Sequence, residues 1–193
     1  MCANYVSLVV LEFLILNVKF VQDIISDVQA DENPGKILVF AGNSNSARSI
    51  ASRLSDIVSG DPDSPLILEY HSGVHALDRS ESLKVIHENS NNKDIVLVCT
   101  DAASRGIDIQ DVAHIVQADF ASSAIDFLHR SGRTGRAGKS GTVTSLVTEN
   151  DADLAKVIKE MVENNALVDG AFSRNRSFRK KFKRYGKFVP RGE

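Results

Sequence analysis

Cysteine is almost missing from this chain: there are two, Cys2 near the start and Cys99 inside an apolar run. No disulfide framework or zinc-ligand spacing can be built from them, which points to a reducing, intracellular compartment. The five histidines show no metal-ligand spacing either. His75, His87 and His114 read as surface or loop positions. No apolar run is long enough to cross a bilayer; Tyr5–Leu16 is short and is interrupted by Glu12. Met1–Asn4 lacks the basic residues that precede a secretory signal core. Neither secretion nor a membrane partner is expected. No internal repeat is visible.

A net charge of −2 conceals a polarity. Residues 172–193 carry nine Lys/Arg and one acid, so this tail is +8 and the rest of the chain is −10. An acidic body with a basic arm suggests a polyanionic partner. The arm interleaves its charges with Phe172, Phe178, Phe182, Tyr185 and Phe188. Cations attract phosphates in a salt-dependent way, and aromatic rings stack on unpaired bases at about 1–3 kcal/mol per base. The arm therefore reads as a single-stranded RNA contact, disordered by itself. The simpler readings are a disordered solubilising tail or a basic amphipathic helix for a membrane or a partner.

The chain length, 193 residues, and its 42% hydrophobic content suit one ordinary domain with additions. Residues 18–30 have helical periodicity, and 31–35 break it. Strands are expected at 36–41, 66–70, 94–99, 112–117 and 141–147. Helices are expected between and after them, at 46–59, 78–88, 122–128 and 150–164. Alternating strands and helices specify an α/β fold, a parallel sheet with helices on both faces. Functional groups of such sheets gather in loops after the carboxyl ends of strands. Four segments are expected on that one edge: 42–46, 71–79, 100–108 and 129–138.

The last of these, His129-Arg130-Ser131-Gly132-Arg133-Thr134-Gly135-Arg136-Ala137-Gly138, has three arginines three apart, interleaved with three glycines. On a helix this spacing would give a cationic stripe beside a bare one. Each internal glycine costs a helix about 1 kcal/mol relative to alanine. The pattern suggests a backbone brought close to another surface while arginines, whose planar fork suits phosphate, reach an anion.

These four segments, in this order, resemble the second RecA-like domain of DEAD-box RNA helicases. The resemblance runs from about Val18 to Met161. It is carried above all by Thr100–Ile109 (TDAASRGIDI) and His129–Gly138 (HRSGRTGRAG). It implies roles position by position. Arg133 and Arg136 match arginine fingers that reach the γ-phosphate of ATP across a domain cleft. His129 and Arg130 match residues that couple the ATP site to the partner domain. Asp108 matches an aspartate near the ribose and the attacking water. Thr100, Arg105 and Gly106 match RNA-backbone contacts, Gly106 lying near the nucleotide as well. Arg79 and Asn43 match further RNA contacts. Simpler readings stand beside three of these: an ion pair of Arg105 with Asp101 or Asp108, a turn cap for Asp108, and a helix cap for Asn43.

Departures from the family pattern are also present. Ala76 stands where a glutamine three before Arg79 is usual. Ser131 replaces an aliphatic residue, and His71-Ser72-Gly73 replaces a His-Gly pair. The sequence contains no phosphate-binding lysine loop and no Asp-Glu-Ala-Asp run. Gly138-Lys139-Ser140 mimics the end of a P-loop, but the first glycine would have to stand where Arg133 does. Cys99 and Arg105 have the spacing of a cysteine phosphatase loop, yet Cys99 ends an apolar run, where a buried thiol is expected.

The expected organisation is a non-family segment at 1–17, a helicase C-terminal RecA-like domain at 18–165 and a basic aromatic tail at 166–193. The resemblance implies ATP as cofactor, with Mg²⁺ held by a first domain supplied in cis or in trans. It implies RNA as partner, through the domain edge and the tail. The chain is expected to be a truncated or alternative product, inactive as an ATPase alone. The alternative is a non-catalytic RNA-binding adaptor. How the chain ends loosely resembles plant organellar members, which would place a full-length parent in the chloroplast or another organelle.

Overall fold

A computed structural model describes residues 4–10, 35–60, 62–88, 93–101, 109–110, 112–136, 141–148 and 151–163. The elements run β1 (Asn4–Val10), β2 (Lys36–Phe40), α1 (Ser44–Val58), β3 (Leu66–Tyr70), α2 (Ala76–Glu88) and β4 (Ile95–Cys99). They continue as β5 (Val112–Gln117), α3 (Ala124–Ser131), β6 (Gly141–Val147) and α4 (Ala152–Glu163). Every strand pairing is parallel, in the order β1-β6-β5-β2-β4-β3. The α/β, RecA-like sheet expected from the alternation is therefore present. Residues 4–10 add a strand beside β6 that the sequence did not announce. The helix expected at 18–30 and the tail lie outside the described residues.

Alternation along each strand builds two faces. Ile37, Val39, Val96 and Val98 pack with Ala47, Ile50, Ala51 and Leu54 of α1 on one face. Leu38, Phe40, Leu97 and Ile115 pack with Ile86 of α2 on the other. A third cluster joins Phe127 of α3 to Leu154 and Ile158 of α4. Helices thus cover both faces, and β2, β4 and β5 are central. The apolar runs of β2 and β4 are unbroken because both sides are buried.

Among the described residues no helix is long and apolar enough to cross a membrane. His75 and His87 are exposed, as expected, but His114 is not a loop residue. It lies in β5, half-buried, with Nε2 2.8 Å from Thr144 Oγ1 of β6. A β-strand position with a polar neighbour across the ladder accommodates it.

Candidate functional site

In a parallel sheet the carboxyl ends of all strands meet on one edge, and Asn43, Arg79, Thr100 and Arg130 of the expected site residues lie there. Asn43 follows β2 and caps α1: its Oδ1 accepts from the amides of Asn45 (3.0 Å) and Ser46 (2.9 Å). Arg79, half-buried in α2, donates from Nη1 to the Val74 carbonyl at 2.5 Å. Thr100 follows β4 and is half-buried. Arg105, Gly106 and Asp108 lie outside the described residues.

Arg130 is the centre of this edge. Only 2% of it is exposed, although it is the largest fully buried side chain. Nε and Nη2 donate to the two carboxylate oxygens of Asp101, at 2.6 and 2.9 Å. Nη1 donates to Gln117 Oε1 (3.2 Å) and to the Asp119 carbonyl (2.7 Å). The guanidinium lies 5.3 Å from the centroid of the Phe40 ring, close enough for a cation–π contact. One side chain thereby ties α3 to the ends of β2, β4 and β5. Asp119 extends the tie, because its Oδ2 accepts from the Gly42 amide at 2.8 Å. Gln117 in turn donates to Ser145 of β6 at 2.8 Å.

Asp101, Gln117, Asp119 and Phe40 were not identified from the sequence as site residues. Asp101 sits inside the most specific motif, next to Thr100. Asp119 stands two residues past a strand end, on the edge where function was expected. What concealed them is that their partner is an arginine well further on, 11 residues after Asp119, 29 after Asp101 and about 90 after Phe40.

The Arg/Gly stretch is not one helical stripe. Ser123 caps α3 through Asp126, and the helix stops at Ser131. The Gly132 amide closes it on the Leu128 carbonyl at 2.8 Å. Gly135 then takes φ +67°, a left-handed conformation that favours glycine. Arg130 therefore points inward from the helix, while Arg133 and Arg136 follow it. Nor does the whole stretch lie on the carboxyl edge. Thr134 forms a bridge to Val112, the first residue of β5, and its buried Oγ1 donates to the Val112 carbonyl at 2.5 Å. The stretch begins by reaching the ends of the strands through Arg130 and finishes at their starts. Arg133 (half-buried) and Arg136 (exposed) sit at that far end. Their Nε groups donate to the carbonyls of His129 (3.3 Å) and Gly132 (2.7 Å). His129 is exposed.

A glycine at the start of β6 makes this docking feasible. A Cβ added at Gly141 would overlap Thr134 Oγ1 and crowd the Gly135 amide. Gly141→Ala is expected to lower stability by about 2 kcal/mol, since neither neighbour is a flexible side-chain end. A downward shift of the urea midpoint with an unchanged slope checks this. A wild-type midpoint would mean that the Thr134 contact is not held in solution.

Cys99 is fully buried at the end of β4. Burial pushes its thiol well above the ordinary range, against a smaller opposing effect of Arg130. A thiolate nucleophile needs the opposite environment, so the phosphatase-loop reading finds no support here. Among the described residues no three His, Cys, Asp or Glu side chains gather as a metal site.

Comparison with known proteins gives a consistent picture. Residues 17–138 match the family model described as the helicase conserved C-terminal domain. DEAD-box ATP-dependent RNA helicase 22 of Oryza sativa subsp. japonica is 44% identical over 151 residues, covering 78% of this chain and 24% of that protein. Its namesake in Arabidopsis thaliana is 43% identical over 152 residues, covering 79% and 24%. The chain thus spans about a quarter of the length of these curated relatives. Among solved structures, the E. coli DEAD-box protein SrmB, crystallised with regulator of ribonuclease activity A, superposes with a TM-score of 0.64 at 26% identity. That match covers 83% of this chain and 86% of the other. Domain 2 of the DEAD-box helicase Mss116p, bound to an RNA duplex, shares the fold with a TM-score of 0.66 at 22% identity, covering 86% and 62%.

Proposed function

This chain belongs to the helicase conserved C-terminal domain family, in its DEAD-box RNA helicase branch, and we propose that it is the finger-bearing half of an ATP-dependent RNA helicase. In this reading the carboxyl edge of the sheet takes RNA phosphates, through Asn43, Arg79, Thr100, Arg105 and Gly106. The opposite end of the Arg/Gly stretch presents Arg133 and Arg136 to the γ-phosphate of ATP. The nucleotide and its Mg²⁺ are held by a first domain, in cis or in trans, with Asp108, Gly106 and His129 closing on them. The observation that carries the reading is the two-ended anchoring of residues 130–134. Arg130 is locked among Asp101, Gln117 and Asp119, and Thr134 is pinned to the start of β5.

The residues at hand fit half of an ATP site. Two arginines, each steadied at Nε by a carbonyl of the preceding turn, suit a phosphate bearing extra negative charge. Phosphoryl transfer depends mainly on positioning and charge stabilisation, and ATP supplies the transferable group. This chain's part is to bring cations to it and to hold RNA beside it. Non-specific phosphate contacts would position RNA without reading its sequence. The cell compartment proposed is intracellular.

The basic aromatic tail favours a second reading, an RNA-binding adaptor without catalysis. Both readings require RNA binding by the intact chain. Truncation after Gly170 is expected to weaken binding to a single-stranded RNA. The slope of log affinity against log salt should flatten by up to about 0.7 per phosphate contact removed. Equal affinity and slope for the two forms would show that the tail is not the RNA arm.

A further inference from the structure

The loop after β3 holds a second cationic site. His71 is fully buried, with Nε2 2.8 Å from Glu69 Oε2 and Nδ1 accepting from the Gly73 amide at 3.1 Å. Nδ1 as acceptor places the ring proton on Nε2, so the histidine locks the loop's backbone. The Gly73 carbonyl accepts from Arg48 Nη2 at 2.6 Å, and the next carbonyl, that of Val74, accepts from Arg79 Nη1. Successive Cα atoms are about 3.8 Å apart, so two guanidinium groups are tethered to neighbouring points of one loop. Ser44 and Ser72 flank them, their hydroxyls 3.0 Å apart and exposed. Among the described residues neither guanidinium meets a carboxylate within ion-pair distance.

Two like charges tethered to one loop with no carboxylate partner among the described residues disfavour each other, and each keeps N–H groups beyond the one its carbonyl uses. A phosphate offsets that repulsion and accepts the remaining donors in a fork geometry. We infer that Arg48, with Arg79 and the Ser44 and Ser72 hydroxyls, forms a seat for one phosphodiester of single-stranded RNA. Arg48 is a binding residue additional to those matched by the family motifs, and this inference rests on the RNA-binding reading above. Gly73 fits the same role: an added Cβ would stand 3.1 Å from both Arg48 Nη2 and His71 Nδ1.

The test uses the full chain and a short fluorescent oligouridine, with affinity measured by anisotropy at stepped KCl. Arg48→Gln should weaken binding about tenfold, the loss of a hydrogen bond to a charged group. It should also flatten the log–log salt slope by about 0.7, one phosphate's share. Arg53→Gln removes the same charge from an exposed position on the same helix and should change neither quantity appreciably. Arg48→Lys should restore the slope but not the full affinity, because lysine keeps the charge and loses the fork. A merely structural Arg48 would alter melting temperature without altering the slope. Wild-type affinity and slope in Arg48→Gln, or equal losses in Arg48→Gln and Arg53→Gln, would overturn the seat and leave RNA binding standing. Failure of the unmodified chain to bind the oligouridine would overturn the RNA reading itself, and the seat with it.

Discussion

Arg136→Ala is expected to reduce RNA-stimulated ATP hydrolysis about 10³-fold or more, measured with the matching first domain added to this chain in trans. The exposed side chain leaves the Arg/Gly stretch just after the left-handed turn at Gly135. Its Nε is held 2.7 Å from the Gly132 carbonyl, which steadies the stem of an exposed side chain. Charge delivered from a pre-positioned stem requires little reorganisation at the moment of reaction, which is where electrostatic catalysis gains most. Thr134 on β5 and the missing side chain at Gly141 fix where that stem begins. Lysine at 136 should not restore the rate, since a point charge does not reproduce a planar fork on two phosphate oxygens. RNA affinity of the variant chain should stay near wild type, because the phosphate contacts proposed for RNA lie at the other edge of the sheet. The chain without a first domain should hydrolyse ATP only at background. Robust RNA-stimulated turnover by the chain alone, or an Arg136→Ala rate within a factor of a few of wild type, would sink the finger assignment.

Much of the fold is legible in the sequence, for a physical reason. Strands of such a sheet read as short runs of apolar and β-branched residues bounded by loops, and β3, β5 and β6 begin and end where those runs do. Helix starts were less sharp. Capped by Asn43, α1 opens at Ser44, two residues ahead of the expected start, and α2 opens at Ala76 rather than Asp78. The strand at Asn4–Val10 was missed because an apolar run carries no record of which ladder it joins. The site was legible as motifs but not as a machine. Spacing marked Arg130, Arg133 and Arg136 as equivalents along one stripe. A helix end at Ser131 and a left-handed Gly135 separate them into one buried arginine, one half-buried and one exposed. What periodicity cannot convey is the partner's address: Asp101, Gln117 and Asp119 meet Arg130 only because parallel strand ends share an edge.

Arg130→Ala is the substitution expected to cost the fold most, about 3 kcal/mol, read as a drop in the urea midpoint with an unchanged slope. Removing one partner of a buried ion pair strands the other, and Asp101 would lose both fork contacts. Its side chain is 29% exposed, so water partly solvates the carboxylate and holds the loss to the lower end of the usual range. Gln117, fully buried, would lose the acceptor contact at Oε1 and keep only its bond to Ser145. The Asp119 carbonyl would lose its donor, and the Phe40 ring the cation lying over it. Against a total stability of about 5–15 kcal/mol for a domain of this kind, that is a large fraction. Lysine should recover only a minor part. Its single ammonium cannot span both Asp101 oxygens, Gln117 and the Asp119 carbonyl at once. Asp101→Asn should be milder, because the amide keeps the shape and one acceptor while the buried cation keeps its other two partners. A double-mutant cycle between Arg130 and Asp101 should then return a coupling of at least about 1 kcal/mol. Near-additive losses, or an Arg130→Ala chain within about 0.5 kcal/mol of wild type, would mean that the fork is dispensable. The ends of β2, β4 and β5 would then be held by sheet hydrogen bonds and apolar packing alone.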